Sequence, residues 1–319
     1  MSQEKVVLLG PLRHRCYACG KCCYGITPGL VDEEEEERIK RHSATLGIEN
    51  PVEDGAVRFK DGECVLLDSR RLCLVHGEFG LMEKPRRCRE FPVKALVTES
   101  GEIRAGIDPS CVNTWRSWRD GEIQDLGSPI LRKSSLSPPD VAAESLLIRA
   151  SAQPGMTVGA MLHLLAGQGM GGPGLPDGFA RRLILRLQQS RFRQFIGHVE
   201  IGWGMEQPLE HLPDAIERLD PDNPPEWPVL DAEAEAFSLE IMRRMLFLRY
   251  ATLTPASQGQ ALLVLSGAVA CAWADPTFPR FGESLSAWSR ATRFRALWLR
   301  LLPDPQTLMW LATGREIPT

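Results

Sequence analysis

Apolar residues recur at helical spacing along most of the chain after residue 138. Over residues 179–198, for example, Ile184 and Leu187 fall on one stripe, while Arg182 and Arg186 fall on the opposite side. A stripe that repeats every three or four residues is the signature of an amphipathic helix. On this pattern, together with Pro and Gly punctuation, we predict helices at residues 139–152, 157–167, 179–198, 232–252, 257–273, 283–302 and 304–313.

The first part of the chain has a different pattern, with short apolar stretches broken by Gly, Pro and charged residues. Its exception is Val31 to His42, where an acidic start and a basic end match the dipole of a short helix. We interpret the five glutamates Glu33 to Glu37 as a solvated helix start and not as an acidic metal site.

A Ser/Pro-rich connector at residues 126–139 separates the two patterns. We therefore predict two parts, residues 1–125 as a cysteine-cluster metal-binding region and residues 126–319 as a helical domain. The expected fold is mainly α, with a small irregular cysteine-rich, metal-centred region packed on an all-α domain.

Charge and hydropathy limit the function classes. The net charge of −4 gives no overall basic field, so we expect no nucleic-acid partner, and we interpret the arginines at 181, 182, 186, 191 and 193 as a solvated helix face. The most apolar run, residues 261–274, is shorter than the roughly 20 residues of a membrane span. The first residues lack the apolar core of an export signal. We therefore expect a cytoplasmic protein without membrane contact.

The cysteines are concentrated in the first third of the chain. Of nine cysteines, eight lie within the first 111 residues, and the ninth, Cys271, lies in an apolar helical pattern typical of a core residue. In a reducing compartment, clustered cysteines more often bind metal than form disulfides. The candidate metal ligands are Cys16, Cys19, Cys22, Cys23, Cys64, Cys73, Cys88 and Cys111.

The first four of these cysteines form a CxxCxxCC cluster. Cysteines three residues apart can turn their thiolates towards one soft cation, and Gly20 permits the backbone angles of such a turn. Adjacent Cys22 and Cys23 are expected to point in different directions. That expectation leaves open two metal ions, a cluster, or one thiol that does not bind.

The other four are spread over 48 residues, and Cys88 lies among Arg86, Arg87 and Arg89, whose charge is expected to favour its thiolate. Zinc in a structural site and an iron–sulfur cubane each take four ligands, and soft thiolates bind both. The cysteines alone therefore do not distinguish zinc from an iron–sulfur cluster. His14 and His76 are further ligand candidates. Disulfides and reduced, buried thiols are the alternatives.

These motifs resemble the YkgJ-type CxxCxxCC cysteine-cluster family of zinc or iron chelators. The resemblance runs from Arg15 to Cys111 and includes the first cluster, the glutamate-rich segment and the block Pro85-x-x-Cys88-Arg89-x-Phe91-Pro92. The longer layout is similar to flagellin lysine-N-methylases, which implies S-adenosylmethionine as a methyl donor and a protein substrate. From the residues alone, an iron–sulfur redox protein is a further alternative.

Overall fold

The computed structural model describes residues 6–17, 19–23, 29–126, 130–169, 171, 174–190, 193, 209–249, 256–292 and 305–315. Within these ranges most of the regular structure is helical, which confirms the predicted mainly-α fold. No helix in the described part is both long and apolar enough to cross a bilayer.

The first part of the chain contains a sheet that the sequence pattern did not predict. Among the described residues it has four strands, in the order β1 (Val6–Leu8), β8 (Ile103–Ile107), β7 (Val93–Val97) and β10 (Leu131–Lys133), and only the central pair is antiparallel. Two short hairpins and one further pair of strands complete the described strands. The strands are β1 Val6–Leu8, β2 Arg13–His14, β3 Val52–Glu53, β4 Ala56–Val57, β5 Phe59–Lys60, β6 Glu63–Cys64, β7 Val93–Val97, β8 Ile103–Ile107, β9 Glu122–Ile123 and β10 Leu131–Lys133.

Helices of the first part are short, apart from the first, and those of the second part are longer. In the first part they are α1 Glu33–Thr45, α2 Leu74–Phe79, α3 Arg86–Glu90 and α4 Thr114–Ser117. In the second part they are α5 Pro138–Ser151, α6 Val158–Leu165, α7 Phe179–Gln189, α8 His211–Glu217, α9 Ala232–Phe247, α10 Ala256–Ala274, α11 Arg280–Thr292 and α12 Pro305–Thr313.

Each helix predicted in the second part has a counterpart in the structure, and three of these helices begin at a capping residue. Ser137, Thr157 and Asp231 accept hydrogen bonds from backbone N–H groups in the first turns of α5, α6 and α9. Helix α10 is at the centre of this part and packs against α5, α9 and α11. The predicted helix ends at residues 194–198 and 293–302 lie outside the described residues.

Two predicted boundaries are wrong in an informative way. The helix predicted at 232–252 ends at Phe247, and Arg249 has a left-handed backbone, with a φ of 48°. The connector predicted at 126–139 contributes β10, which pairs with β7. Strand β10 therefore continues the sheet beyond residue 125, while the division of the chain at that residue stays a prediction.

Arg249 lies in a buried ion network between the sheet and the helices. Its side chain is 2% exposed, and its guanidinium contacts Glu144 of α5 (Nε–Oε2, 2.8 Å) and Glu99 of the β7–β8 turn (Nη1–Oε2, 2.5 Å). Arg104 of β8 reaches the same Glu144 at 2.5 Å. A buried charge of this kind is tolerated when it is paired and hydrogen-bonded, and the network fixes the sheet against α5 and α9.

Candidate metal centre

Distant cysteines meet at one cavity of about 310 Å³. Seven of the eight N-terminal cysteines line it, and Cys64 lies close enough to influence the thiol pKa of Cys23 and Cys88. Cys271 is 1% exposed in α10 and is a core residue, as predicted. The cysteines that line the cavity are Cys16, Cys19, Cys22, Cys23, Cys73, Cys88 and Cys111.

Gly20 allows the first cysteine loop to approach the second part of the site. Its φ is +66°, and a Cβ at this position would lie 2.3 Å from the backbone oxygen of Arg71. Both facts require glycine. The loop continues into a 3₁₀ turn at Lys21–Cys23, where the Cys23 N–H donates to the Gly20 carbonyl at 2.8 Å. The predicted role of Gly20 fits this geometry.

The adjacent cysteines of that turn do not diverge. The Sγ atoms of Cys22 and Cys23 lie 3.9 Å apart, so the expectation that they point in different directions is wrong for this turn. Two thiolates on one tetrahedral zinc ion, with Zn–S bonds of roughly 2.3 Å, are about 3.8 Å apart. The observed separation is therefore close to that of two ligands of a single ion.

The other four cysteines come from four separate elements. Cys64 ends β6, and Cys73 forms an isolated bridge with Leu67 directly before α2. Cys88 lies within α3, and Cys111 follows β8 in a turn. Each element is too short to be stable alone, so their packing around the cavity determines where the thiols lie.

A buried glutamate holds α1 against the helix that carries Cys88. Glu35 is 2% exposed, and its carboxylate accepts hydrogen bonds from the backbone N–H groups of Val31, at 2.7 Å, and of Arg86, at the start of α3. Arg38 also reaches it, at 3.4 Å. The interpretation of the glutamate run as a solvated helix start is therefore wrong for Glu35, which lies on the inner side of α1.

Lys84 and Arg290 bring positive charge to the thiols, and sequence reasoning missed both. Each lines the cavity, and each lowers the thiol pKa of Cys22. Burial alone would lower the pKa of Lys84, but the surrounding cysteine sulfurs raise it overall. Arg290 is fully buried on α11 and donates hydrogen bonds to the backbone carbonyls of Lys21 (2.7 Å) and Ser110 (3.4 Å).

The arginines around Cys88 do not have the predicted effect. Arg86 is paired with Glu90 through Nε–Oε1 at 2.7 Å, and Arg89 donates to the Met82 carbonyl at 2.5 Å. Burial raises the pKa of the Cys88 thiol, and Lys84 is the cation that opposes this rise. Burial therefore opposes the thiolate character that the neighbouring arginines were expected to give Cys88.

The thiols are unequal in their acidity. A hydrogen bond within the adjacent pair lowers the pKa of Cys22 to about 6 and raises that of Cys23, so one thiolate and one thiol share the pair at neutral pH. Burial raises the pKa of Cys64 and of Cys111 to about 12. Cys64 and Cys111 are therefore protonated at neutral pH, and Cys22 is the thiolate best prepared to bind a soft cation.

Polar neighbours surround the thiols. The Asn113 side-chain amide donates to Cys19 Sγ at 3.1 Å, and His14 and His76 line the cavity. Burial, followed by the nearby charge of Arg244, lowers the pKa of His14 to about 4, so its imidazole is neutral. His14 Nδ1 is buried and has no hydrogen-bond partner among the described residues. An imidazole of this kind is available as a ligand, so the donor set fits a thiophilic metal.

The thiols along the cavity wall do not converge on one point. Among the described residues, no group of three or more His, Cys, Asp or Glu side chains is arranged so that it could hold a metal ion. The cavity brings the thiols to its wall, and rotation of their side chains would be needed to bring four to a common centre. The donors and charges of the site are present, while the coordination geometry is not.

Comparison with known proteins identifies the same segment. Residues 15–112 match the model of the CxxCxxCC family, which is described as a predicted zinc- or iron-chelating domain. We found no curated protein and no solved structure that matches the chain. The matched range begins at the Arg15 named above and ends one residue after Cys111. The chain is therefore similar to the CxxCxxCC family over residues 15–112, about a third of its length.

Proposed function

We propose that this protein binds zinc or iron, the latter as an ion or an iron–sulfur cluster, through thiolates of its N-terminal cysteines. The observation that carries the proposal is the convergence of seven cysteines, from the CxxCxxCC loop and three separate later segments, on one cavity. Packing needs alone do not explain this convergence, since the reduced thiols gain little from one another in an apolar core. The proposed ligand set is Cys16, Cys19, Cys22, Cys23, Cys64, Cys73, Cys88 and Cys111.

The charge around the cavity supports the same proposal. Four thiolates bring four negative charges to a site, and burying them is costly unless cations lie near. Lys84 and Arg290 are such cations, and both face the cysteine cavity. Because thiols lose protons when they bind metal, positive neighbours also favour uptake.

Anaerobic purification followed by elemental analysis is the direct test. We expect zinc or iron in stoichiometric amount with the chain. Zinc leaves the protein colourless, whereas an iron–sulfur cluster gives a broad visible absorption that dithionite bleaches, together with acid-labile sulfide. A folded protein that carries neither metal, and takes up neither under reducing conditions, would contradict the proposal.

Serine substitutions localise the metal. Cys22→Ser and Cys111→Ser are expected to lower the metal content, because each removes a thiol from the cavity wall. Cys271→Ser is the matched control: it makes the same chemical change in the core of α10, away from the cavity, and is expected to keep the metal. Equal loss of metal in all three variants would indicate unfolding and not ligand removal.

Catalytic and redox roles stay predictions. Lysine methylation with S-adenosylmethionine as donor follows from the resemblance to flagellin lysine-N-methylases, and labelled donor mixed with total cell protein tests it. An electron-transfer role requires that the bound metal be an iron–sulfur cluster, so the optical spectrum decides whether it is pursued. The cytoplasmic location is likewise a proposal.

A further inference from the structure

A second cavity of about 310 Å³ lies away from the cysteines, between the N-terminal strands and helix α9. No cysteine is among the described residues that line it, although Arg13 on its wall is the chain neighbour of His14 on the wall of the cysteine cavity. Its wall is rich in arginine: the basic side chains that line it are Arg13, Arg119, Arg243 and Arg244.

One carboxylate faces these four arginines. Glu240 lines the cavity and binds two of them, Arg243 through Nη2 at 2.6 Å and Arg244 through Nε at 2.7 Å. Arg119 forms an ion pair with the exposed Glu233, at 3.8 Å. Solvent screens most of the attraction between these two side chains. Positive charge therefore exceeds negative charge around the cavity.

Two guanidinium nitrogens on this wall are buried without an acceptor. Arg244 has a side-chain exposure of 7%, and its Nη1 has no hydrogen-bond partner among the described residues, nor has Nε of Arg243. A buried donor that makes no hydrogen bond is costly, and buried polar groups are nearly always partnered. Water could satisfy the N–H groups but would not neutralise the charge, whereas an oxyanion would do both.

The rest of the wall is apolar and partly aromatic. Trp118, stacked under the Arg119 guanidinium at 4.3 Å, and Phe247 line the cavity together with Leu12 and Ile107. A bare inorganic ion would leave this surface in contact with water. A ligand that combines an oxyanion with an apolar body would cover both surfaces of the wall.

We propose that this cavity binds a small organic anion, with its carboxylate or phosphate group on Arg243 and Arg244 and its apolar body against Trp118 and Phe247. The forked N–H groups of an arginine can bind a planar carboxylate or a tetrahedral phosphate. The proposed ligand is therefore either of these anions attached to an apolar group. The site is independent of the cysteine cavity, and its existence does not depend on which metal the protein holds.

Calorimetric titration of the full-length protein, as purified, at low ionic strength tests this proposal. The probes are phenyl phosphate, benzoate, inorganic phosphate and phenol. Phenyl phosphate or benzoate is expected to bind more tightly than both inorganic phosphate and phenol, and the better of the two identifies the oxyanion. Arg244→Gln is expected to weaken that binding on the order of tenfold or more, the effect of losing a charge-assisted hydrogen bond.

Two further variants keep the test decisive. Arg119→Gln removes a cation from the exposed rim of the cavity and is expected to weaken anion binding. This variant tests the proposal if Arg244→Gln, at a buried position, does not fold. Arg181→Gln changes an arginine that is paired with Asp222 outside the cavity, and is expected to bind as the wild type does. The proposal would be overturned if neither phenyl phosphate nor benzoate bound, or if inorganic phosphate or phenol bound as tightly as the better of the two. Unchanged affinity in Arg119→Gln and in any folded Arg244→Gln would also overturn it.

Discussion

Arg290 Nη2 donates a hydrogen bond to the backbone carbonyl of Lys21 at 2.7 Å, across 269 residues of the chain. Lys21 lies between Cys19 and Cys22, so a helix of the C-terminal part holds the CxxCxxCC loop in place. The same guanidinium reaches the carbonyl of Ser110, next to Cys111, at 3.4 Å. The cysteine cavity is therefore completed by a residue far outside the matched family range.

Replacement of Arg290 by methionine is expected to loosen the loop. The change removes two hydrogen bonds that the charged guanidinium donates, and we therefore expect the free energy of unfolding to fall by about 2 kcal/mol. It also removes a positive charge from the cavity wall, so we expect the metal content to fall as well. Urea denaturation and elemental analysis measure the two effects. Arg181→Met, which breaks an exposed pair with Asp222, is the control and is expected to change stability by less than about 1 kcal/mol.

Gly20→Ala tests whether the approach of the two cysteine loops needs glycine. The added Cβ would meet the Arg71 carbonyl at 2.3 Å, and the backbone φ of +66° is unfavourable for alanine. We therefore expect the free energy of unfolding to fall by more than about 1 kcal/mol and the metal to be retained less well. Gly47→Ala provides a matched control, because φ is +71° there and no atom lies within 4 Å of an added Cβ. Equal effects of the two changes would show that backbone strain, and not the close approach, is responsible.

Arg249→Met is expected to cost more than either change at the loop. It removes the partner of Glu99 and one of the two arginines that contact the buried Glu144 carboxylate, which keeps Arg104. Breaking one side of a buried ion pair typically costs about 3–5 kcal/mol. Arg193→Met is the comparison, since Arg193 is about half exposed and its pairs with Asp214 and Glu217 are screened by solvent. Thermal and urea unfolding measure the loss of stability in the two variants. A loss in Arg249→Met no larger than that in Arg193→Met would show that the buried ion network contributes little to stability.

The sequence predicted the long helices and the set of converging thiols because both depend on local patterns. Helical stripes and capping residues such as Thr157 and Asp231 mark helices without knowledge of the tertiary fold. Cysteines spaced as in Cys16–Cys23 indicate a shared metal ion, because their thiolates can turn towards one soft cation. These signals lie within short windows of the chain, where sequence reasoning is strongest.

Long-range partners were beyond that reasoning. Nothing near Arg290 distinguishes it from the exposed arginines of the helical part, and Glu35 lies in a run of five glutamates of which it alone is buried. The arginines beside Cys88 in sequence suggested a charged setting, yet Lys84 and Arg290 supply the charge. Strands such as β1 and β10 are only three residues long, too short for a periodic pattern to be recognised.

Glu99 gives the buried network a defined response to acid. Its hydrogen bonds with Arg249 lower its pKa from the ordinary value of 4.5 to about 2, so the folded protein favours the ionised carboxylate. As the pH falls below 4.5, the unfolded chain takes up this proton first. The stabilising contribution of Glu99 is therefore complete above pH 4.5 and is lost as the pH falls towards 2.

Glu99→Gln is expected to remove this response. The variant should be less stable than the wild type at neutral pH, and the difference should narrow between pH 4.5 and 2, because glutamine does not titrate. Urea denaturation of the metal-free protein over this pH range measures the slope. In an Arg249→Met background the partner of Glu99 is absent, so the added Glu99→Gln change should have little pH dependence. A constant difference between wild type and Glu99→Gln at all pH values would show that the ion pair does not hold the Glu99 pKa low.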